Sequence, residues 1–264
     1  MAYEQARALG FIYALAMFCI TAYLWYTKRW TRRTGWFFLV ITLALGFLIF
    51  SPIIPWQFQS LILRDARGVG GPLVIAVAGI LVMLALSFLF GRFYCGYFCP
   101  IGAVQELASL APGPKVRLGS KIWPGIIRGI FFFLFLLAGY LFTFGLLRLF
   151  GIRDFFLLIL STGFFIFLAI IVISLFLYRP FCRFICPFGA IVSVPAMGSR
   201  FKIQRTDACI SCGKCERVCP TNEAKRSDLK GECYLCHRCL DVCPVEGALE
   251  YRRVKEQEGE PGTD

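Results

Sequence analysis

The chain has 264 residues, of which 58% are hydrophobic and only 17% are charged, and its formal net charge is +12. Soluble domains carry about 25% charged residues, so this composition excludes an ordinary soluble protein and indicates long apolar segments. The positive charge forms no separate basic stripe. It lies at the ends of the apolar segments, as the positive-inside rule predicts for membrane proteins. We therefore expect membrane lipid, and no nucleic acid, as a partner.

Five apolar segments precede residue 200, and each approaches the about 20 residues that a helix needs to cross a bilayer. The predicted spans are about Ala8–Tyr26, Trp36–Trp56, Pro72–Phe90, Ile126–Leu147 and Phe155–Tyr178. The first span carries no chemical motif and is interpreted as an anchor or a partner-docking helix. The sequence thus predicts a mainly α-helical, polytopic membrane domain over residues 1–195.

Lys and Arg residues are more frequent at one set of span ends than at the other. They follow the first, third and fifth spans: Lys28, Arg29, Arg32, Arg33, Arg92, Lys115, Arg117, Lys121, Arg179 and Arg183. The positive-inside rule assigns these ends to the cytoplasm. We expect a multi-pass protein of a prokaryotic inner membrane, with the N-terminus in the periplasm and the C-terminus in the cytoplasm.

An internal repeat follows two of the predicted spans. One copy reads F-Y-C-G-Y-F-C-P-I-G-A-V from Phe93, and the other reads P-F-C-R-F-I-C-P-F-G-A-I from Pro180. In C-x3-C the two thiols lie one helical turn apart on the same face, and the following Pro is expected to end or kink the helix. A pseudo-twofold pair of such hairpins would bring together four thiols, those of Cys95, Cys99, Cys182 and Cys186.

These four residues, here called the C-x3-C-P cysteines, have several possible uses. They can hold a third iron–sulfur cluster, form redox-active disulfides or bind zinc or copper. The alternative is that they only pack in the bundle, but packing does not require the same motif twice. The remaining cysteine outside the motifs, Cys19, lies in an apolar segment and is interpreted as a buried, inert thiol.

The C-terminal part contains two copies of C-x2-C-x2-C-x3-C-P between Cys209 and Pro244. This spacing is typical of bacterial ferredoxins with two 4Fe–4S clusters, in which the fourth cysteine of each run binds the other cluster. Structural zinc or a disulfide framework is the alternative, and the doubled C-x3-C-P ending disfavours both. We predict a small α+β ferredoxin domain over residues 200–251. Cluster one would be held by Cys209, Cys212, Cys215 and Cys243, and cluster two by Cys219, Cys233, Cys236 and Cys239.

The histidine content and the charged C-terminal tail are two further features of the sequence. His237 is the only histidine, so the membrane part has no pair of histidines for a haem. It completes a C-x2-C-H match to a haem-attachment motif, but its cysteines belong to the ferredoxin run, so it is interpreted as a surface or hydrogen-bonding residue. The charged tail, Arg252–Asp264, is predicted to be disordered.

No motif locates a quinone site. Gln105 and Glu106 follow the first C-x3-C-P motif, and a carboxylate close to a cluster could accept a proton from a quinol. The alternative is that both are ordinary interfacial polar residues. Glu106 is the candidate on this pattern.

Two C-x3-C-P motifs at span ends, followed by two ferredoxin-type cysteine runs, resemble the NapH-type membrane quinol dehydrogenase subunit. The resemblance covers Trp30 to Tyr251. The arrangement is also similar to the C-terminal half of NosR-type proteins and to the methylamine-utilisation ferredoxin MauN. It implies an electron-transfer subunit of an anaerobic respiratory chain, between the quinol pool and another redox subunit. That subunit would be a periplasmic iron–sulfur or cytochrome protein, or a cytoplasmic donor, and the direction of electron flow stays open.

A second class of function is also consistent with these motifs. CcoG-type assembly proteins combine membrane cysteine motifs with a ferredoxin domain, and there the thiols would bind or reduce a metal for a client respiratory enzyme. On the first interpretation, Cys95→Ser blocks electron flow while the client enzyme keeps its metal. On the second, the client lacks its metal.

Overall fold

The computed structural model describes residues 30–50, 54–65 and 73–254, with isolated positions between 13 and 27. The first predicted span, Ala8–Tyr26, lies largely outside the described residues, as does most of the predicted tail, from residue 255 onward. Cys19 is described and is exposed, so the prediction of a buried thiol is wrong. Two residues further on, Thr21 is fully buried, which places Cys19 on the outward side of its segment.

The described part is mainly helical, with a small two-stranded sheet near its C-terminal end. The elements are α1 (Arg32–Ile49), α2 (Ile54–Ile62), α3 (Leu73–Phe90), α4 (Phe93–Tyr97), α5 (Pro100–Ser109), α6 (Ile122–Phe142), α7 (Ile152–Phe156), α8 (Thr162–Ser174), α9 (Pro187–Met197), β1 (Phe201–Arg205), α10 (Lys214–Val218), α11 (Arg238–Asp241) and β2 (Leu249–Arg253). A 3-10 helix, Leu146–Phe150, precedes α7. One π-helical turn, Phe181–Ile185, precedes α9.

Within the described residues, α6 is the one helix long and apolar enough to cross a membrane by itself. The helices α1 and α2 pass the same test only as a pair, with a bend of 46° between them. The predicted second span, Trp36–Trp56, is therefore not one straight helix. Phe50 closes α1 in a left-handed conformation, and Pro52 and Pro55 follow with no backbone N–H for a helix.

The fifth predicted span, Phe155–Tyr178, is also interrupted. Its residues form the end of α7 and then α8, which begins where the Ser161 side chain accepts a hydrogen bond from the Phe164 amide at 3.1 Å. At about 1.5 Å per residue, the 13 residues of α8 span less than the ~30 Å hydrocarbon core of a bilayer. The fourth predicted span, Ile126–Leu147, is α6 shifted toward the N-terminus, because Thr143 ends the helix in a left-handed conformation.

The helices run alternately toward and away from the C-terminal domain. At the near end, the Trp30 ring, just before α1, lies 6.1 Å from the His237 ring. At the far end, the Gln59 side chain of α2 accepts a 2.6 Å hydrogen bond from the Leu147 amide, which follows α6. The helices α3 and α8 both return to the near end, so both C-x3-C-P motifs lie beside the C-terminal domain.

The C-terminal domain is closed by the antiparallel pair β1 and β2, in which Ile203 lies opposite Tyr251. The sheet packs on the end of α3, where the Phe201 ring stacks on the Phe90 ring at 5.7 Å. The predicted tail starts at Arg252, but Arg252 and Arg253 still belong to β2 and pair with β1. That boundary is corrected, because strand pairing orders these two arginines.

Candidate iron–sulfur sites

The two C-x3-C-P motifs differ at the first cysteine, which lies in an α-helical turn in one and a π-helical turn in the other, but they match at the second cysteine. Cys99 is the N-cap of α5 and Cys186 is the N-cap of α9, and in each case the following Pro stands in the first turn of the new helix. The helical turn that carries the first cysteine ends before this Pro, at Tyr97 and at Ile185, as expected, and the same Pro then begins a new helix. Proline favours the first helical position because the amide there needs no partner within the helix.

The C-x3-C-P cysteines line one cavity, together with Arg92 and Gly189 among others. All four side chains are more than nine-tenths buried. The structure therefore brings together the four thiols that the repeat predicts. No disulfide joins any of the thirteen cysteines of the chain, all of which the structure describes.

The repeated glycine of each motif explains why the two hairpins fold so tightly. A Cβ atom on Gly102 would lie 2.5 Å from the backbone oxygen of Cys95, and one on Gly189 would lie 3.2 Å from that of Cys182. Each glycine thus lets the helix after the motif touch the first cysteine of the same motif. The Gly189 amide also donates to the Cys186 sulfur at 3.3 Å.

Gln105 makes a direct contact with the cysteine cavity. Its side-chain amide donates to the Cys182 sulfur at 3.4 Å, and its oxygen accepts from the Phe181 amide at 3.0 Å. Gln105 is fully buried, so the interpretation as an interfacial residue is wrong.

The eight ferredoxin cysteines divide between two further cavities. Cys209, Cys212, Cys215 and Cys243 line one of them. The other, of about 300 Å³, is lined by Cys219, Cys233, Cys236 and Cys239. These are the two sets that the crossed pairing of the two runs predicts.

The two ferredoxin runs share an unusual backbone conformation. Ser211 and Leu235, at equivalent positions, both have positive φ, and so do Gly213 and His237. His237 thus occupies a site that its sister run gives to glycine, and histidine is among the residues that tolerate this conformation best. It is buried, so it is not a surface residue, and burial lowers the pKa of its imidazole to about 4.

A layer of buried arginines lies between the C-x3-C-P cavity and the ferredoxin domain. Arg92 and Arg179 each stand three residues before the first cysteine of a motif, so the full repeat reads R-x2-C-x3-C-P-x-G-A. Both are almost completely buried. Sequence reasoning missed these residues because it assigned them to cytoplasmic span ends, although aligning the repeats three positions further upstream reveals them.

Each of these arginines reaches across to the other repeat. Arg92 donates to the Gly189 carbonyl at 3.2 Å, and Arg179 donates to the carbonyls of Cys95 and Gly96 at 2.6 and 2.8 Å. The two guanidinium groups lie on the Tyr234 ring, each with its carbon 4.7 Å from the ring centroid. Since Tyr234 follows the cluster-two cysteine Cys233, this layer joins the two cysteine regions.

Two glutamates neutralise part of the layer, and each is shared by two arginines. Glu232 lies 2.8 Å from Arg92 and 2.6 Å from Arg128. Glu106 lies 2.9 Å from Arg179 and 2.8 Å from Arg238. Arg183 has no carboxylate partner among the described residues, and it donates to the Pro220 carbonyl at 3.4 Å.

The sequence candidate for a quinol-proton acceptor, Glu106, is thus part of an ion-pair network. Its burial opposes ionisation, but Arg179 and Arg238 outweigh burial and lower the pKa of the carboxyl group. A carboxylate of lowered pKa is a weak proton acceptor. The alternative of an ordinary interfacial charge is wrong as well, because Glu106 is buried and joins the bundle to the ferredoxin domain.

The three cysteine sets have the ligand chemistry of iron–sulfur clusters. Among the described residues, no group of three or more His, Cys, Asp or Glu side chains converges closely enough to hold one ion. Each set of four surrounds a space instead, as thiolates around a polynuclear cluster do. The arginine layer adds an electrostatic argument, because five arginines face two glutamates there, and buried charge without compensation is strongly unfavourable. Clusters ligated by thiolates would supply the missing negative charge.

Comparison with known families agrees with this chemistry. A family model described as a 4Fe-4S binding domain matches residues 72–119 and 160–205, which contain the two C-x3-C-P motifs. A second 4Fe-4S binding domain model matches residues 203–222, within the first ferredoxin run. The chain therefore carries ferredoxin-type 4Fe–4S binding domains.

The chain is also similar to individual proteins whose names refer to electron transport or to ferredoxins. The chain is 28% identical over 181 residues to YccM of Escherichia coli, which carries the name of an electron transport protein; the match covers 57% of this chain and 48% of YccM. It is 29% identical over 160 residues to the methylamine utilization ferredoxin-type protein MauN of Methylobacillus flagellatus, covering 55% of this chain and 54% of MauN. The chain spans less than two thirds of these relatives. No solved structure matches.

Proposed function

We propose that this protein is a membrane-bound iron–sulfur electron carrier that passes electrons between the quinol pool and a redox partner, as NapH-type quinol dehydrogenase subunits do. The observation that carries the proposal is the arrangement of twelve cysteines in three sets of four, each around its own cavity. Similarity to proteins named for electron transport and ferredoxin-type function supports the electron-transfer part of the proposal.

A membrane location is supported by the outer surface of the helix bundle. Leu48 and Val74 are each 78% exposed, and Tyr140 is 71% exposed. Many further large apolar side chains of α1, α3, α6 and α8 are exposed as well. Soluble proteins rarely expose apolar surface on this scale, whereas lipid would cover it. With the positive span ends inside, the ferredoxin domain faces the cytoplasm.

The proposal places an iron–sulfur cluster in the C-x3-C-P cavity as a third centre. When bound, the three clusters would supply one-electron transfer. The chain's own contribution is to order them, because Gly96 of the first motif and Arg183 of the second both contact the cluster-two segments, at Tyr234 and Pro220. The C-x3-C-P site therefore neighbours cluster two, and cluster one lies further out, where Cys212 is exposed.

This order of centres assigns a role to each end of the protein. The C-x3-C-P site, at the near end of the helix bundle, would exchange electrons with a quinone in the membrane. Cluster one would exchange electrons with the partner subunit or a cytoplasmic donor. The cysteines that would hold cluster two lie beside the buried arginine layer, so this cluster would connect the two sites.

The test uses the full-length protein in lipid nanodiscs, without oxygen. The clusters are reduced with dithionite, the excess is removed, and a menaquinone or ubiquinone analogue is added while the cluster absorbance is followed. We expect prompt reoxidation in the wild type and in Cys19→Ser, whose thiol lies outside the motifs, and a large loss of rate in Cys95→Ser.

Two results would contradict the proposal. Clusters that stay reduced with quinone but are reoxidised by a thiol-bound metal or a disulfide would favour the maturation function. Equal reoxidation rates in Cys95→Ser and wild type would show that the C-x3-C-P site is not on the path of the electrons.

A further inference from the structure

The repeat-related arginines, Arg92 and Arg179, have an unusually symmetric environment. Each is buried, each hydrogen-bonds to a backbone carbonyl of the opposite repeat, and each lies 4.7 Å from the same Tyr234 ring. Each also shares one glutamate with a second arginine. A pair of residues with matching contacts on both sides of a pseudo-twofold site points to a matching role.

Packing alone does not account for a cation at these two positions. A buried arginine is costly unless its charge is balanced, and each glutamate here has to serve two arginines. Arg92 also lines the cysteine cavity, and its Nε atom is buried with no hydrogen-bond partner among the described residues. The side chain is therefore placed for an anionic occupant of that cavity.

We infer that Arg92 and Arg179 are repeat-related positioning residues, which raise the reduction potential of the cofactor that the C-x3-C-P cysteines hold. This inference rests on the proposed third iron–sulfur centre. Reduction adds an electron to a cluster, and a fixed positive charge in a buried, low-dielectric site stabilises the reduced form. Net charge near the cluster is one of the factors that set its potential.

The same geometry assigns a role to Tyr234. Its ring lies between the two guanidinium groups, and its residue follows a cluster-two ligand in the chain. The phenol is almost fully buried, and its oxygen has no hydrogen-bond partner among the described residues. The cation–π contacts therefore hold the cluster-two segment against the repeat, so the arginines fix the position of cluster two relative to the third centre as well as its charge environment.

The experiment is an EPR-monitored redox titration of the full-length protein in nanodiscs, with iron content measured on the same samples. The variants are Arg92→Gln and Arg179→Gln, each beside its lysine counterpart. We expect both glutamine variants to shift the potential of the C-x3-C-P centre downward by similar amounts, while cluster one is unchanged. The lysine variants keep the charge and should stay close to the wild-type potential.

Arg205→Gln is the matched control. Arg205 is a partly buried arginine paired with Glu216, and it donates to the cluster-one cysteine Cys215 at 3.4 Å. Its removal should shift the potential of cluster one and leave the C-x3-C-P centre unchanged. This reversed pattern separates local charge compensation from a general loss of structure.

The possible outcomes distinguish the inference from the function on which it rests. A wild type with iron for two clusters only, and no third EPR signal, would overturn the third centre itself. A third centre whose potential is unchanged in both glutamine variants would overturn the arginine inference alone. If the glutamine variants lose iron, their potentials are not measurable and the lysine variants provide the test. A lysine variant with the wild-type potential supports charge compensation, and a lysine variant with a lowered potential contradicts it.

Discussion

The helix repeat and the ferredoxin domain both gather cysteines in sets of four, but they position them by different means. In the repeat, the second cysteine of each motif caps a helix, a glycine brings that helix against the first cysteine, and buried arginines tie the two motifs together. In the ferredoxin domain, Cys215 and Cys239 lie in helices of five and four residues, the other cysteines lie in the loops around them, and one two-stranded sheet completes the domain.

The two regions therefore differ in the source of their folding stability. The repeat site is built on packed helices and is organised by the protein itself. The ferredoxin domain has little regular structure, so we expect its fold to depend on bound clusters, as in other small domains in which metal binding and folding are coupled. Four changes to the chain test this contrast.

The largest effect is expected from removing a ligand on each side. Cys236→Ser should lose cluster two and unfold the ferredoxin domain, because its short helices and single two-stranded sheet supply little stability of their own. Cys182→Ser should lose only the iron of the proposed third centre, with the helices intact. Iron content, circular dichroism and limited proteolysis report on both. Unfolding of the helix bundle in Cys182→Ser would mean that the repeat site depends on its cofactor as well.

The next largest effect concerns the ion pairs that join the two regions. Glu106→Gln leaves Arg179 and Arg238 buried without a carboxylate, which should cost about 3 kcal/mol of stability. Glu216→Gln is the control, because Glu216 also pairs with an arginine, Arg205, but its own side chain is 36% exposed. This substitution should cost under about 1 kcal/mol of stability. Unfolding by denaturant in detergent measures both. Equal losses would show that burial of the Glu106 network contributes no extra stability.

A smaller effect is expected at the contact between the first motif and cluster two. A Cβ atom on Gly96 would collide with the Tyr234 carbonyl oxygen, so Gly96→Ala should weaken docking by about 2 kcal/mol. Gly129→Ala is the control, because a Cβ atom there has no neighbour within 4 Å, and alanine favours a helix. Faster proteolytic release of the ferredoxin domain in Gly96→Ala alone is the expected result. Wild-type resistance in that variant would argue that the two regions are not docked as described.

The smallest effect is expected at the Gln105 amide. Gln105→Leu removes the hydrogen bond to the Cys182 sulfur, a change of about 1 kcal/mol, together with the acceptor of the Phe181 amide. Hydrogen bonds to sulfur raise the potential of a cluster. The potential of the C-x3-C-P centre should fall slightly in an EPR-monitored titration. Gln204→Leu, in β1, should leave it unchanged. An unchanged potential in Gln105→Leu would remove this amide from the factors that tune the site.

Much of the site was predictable because cysteine spacing is a local property. The grouping of Cys209, Cys212 and Cys215 with Cys243 follows from the crossed pattern of two equal runs, and the structure places these four around one cavity. The C-x3-C-P repeat likewise predicted that four distant thiols meet. Matches to 4Fe-4S binding domains confirm the ferredoxin-type chemistry.

Helix boundaries were predicted less well, for a physical reason. Hydropathy reports the average polarity of a segment, but a helix ends where a single residue adopts a left-handed conformation or a side chain caps a new start. Phe50, Thr143 and Ser161 do this within apolar segments. No change in hydropathy marks these positions, so three predicted spans were displaced or divided.

The sequence by itself determined the three cysteine sets, the apolar character of the bundle and the internal repeat, because each is written in residue type and spacing. Only the tertiary structure decided that Arg92 and Arg179 are buried across the repeat, that Glu106 pairs with two of the arginines, and that Tyr234 lies between two guanidinium groups. Those contacts join residues that are far apart in the chain, and the residue type of an arginine or glutamate does not reveal whether its charge is buried. The fold alone decides which partner balances it.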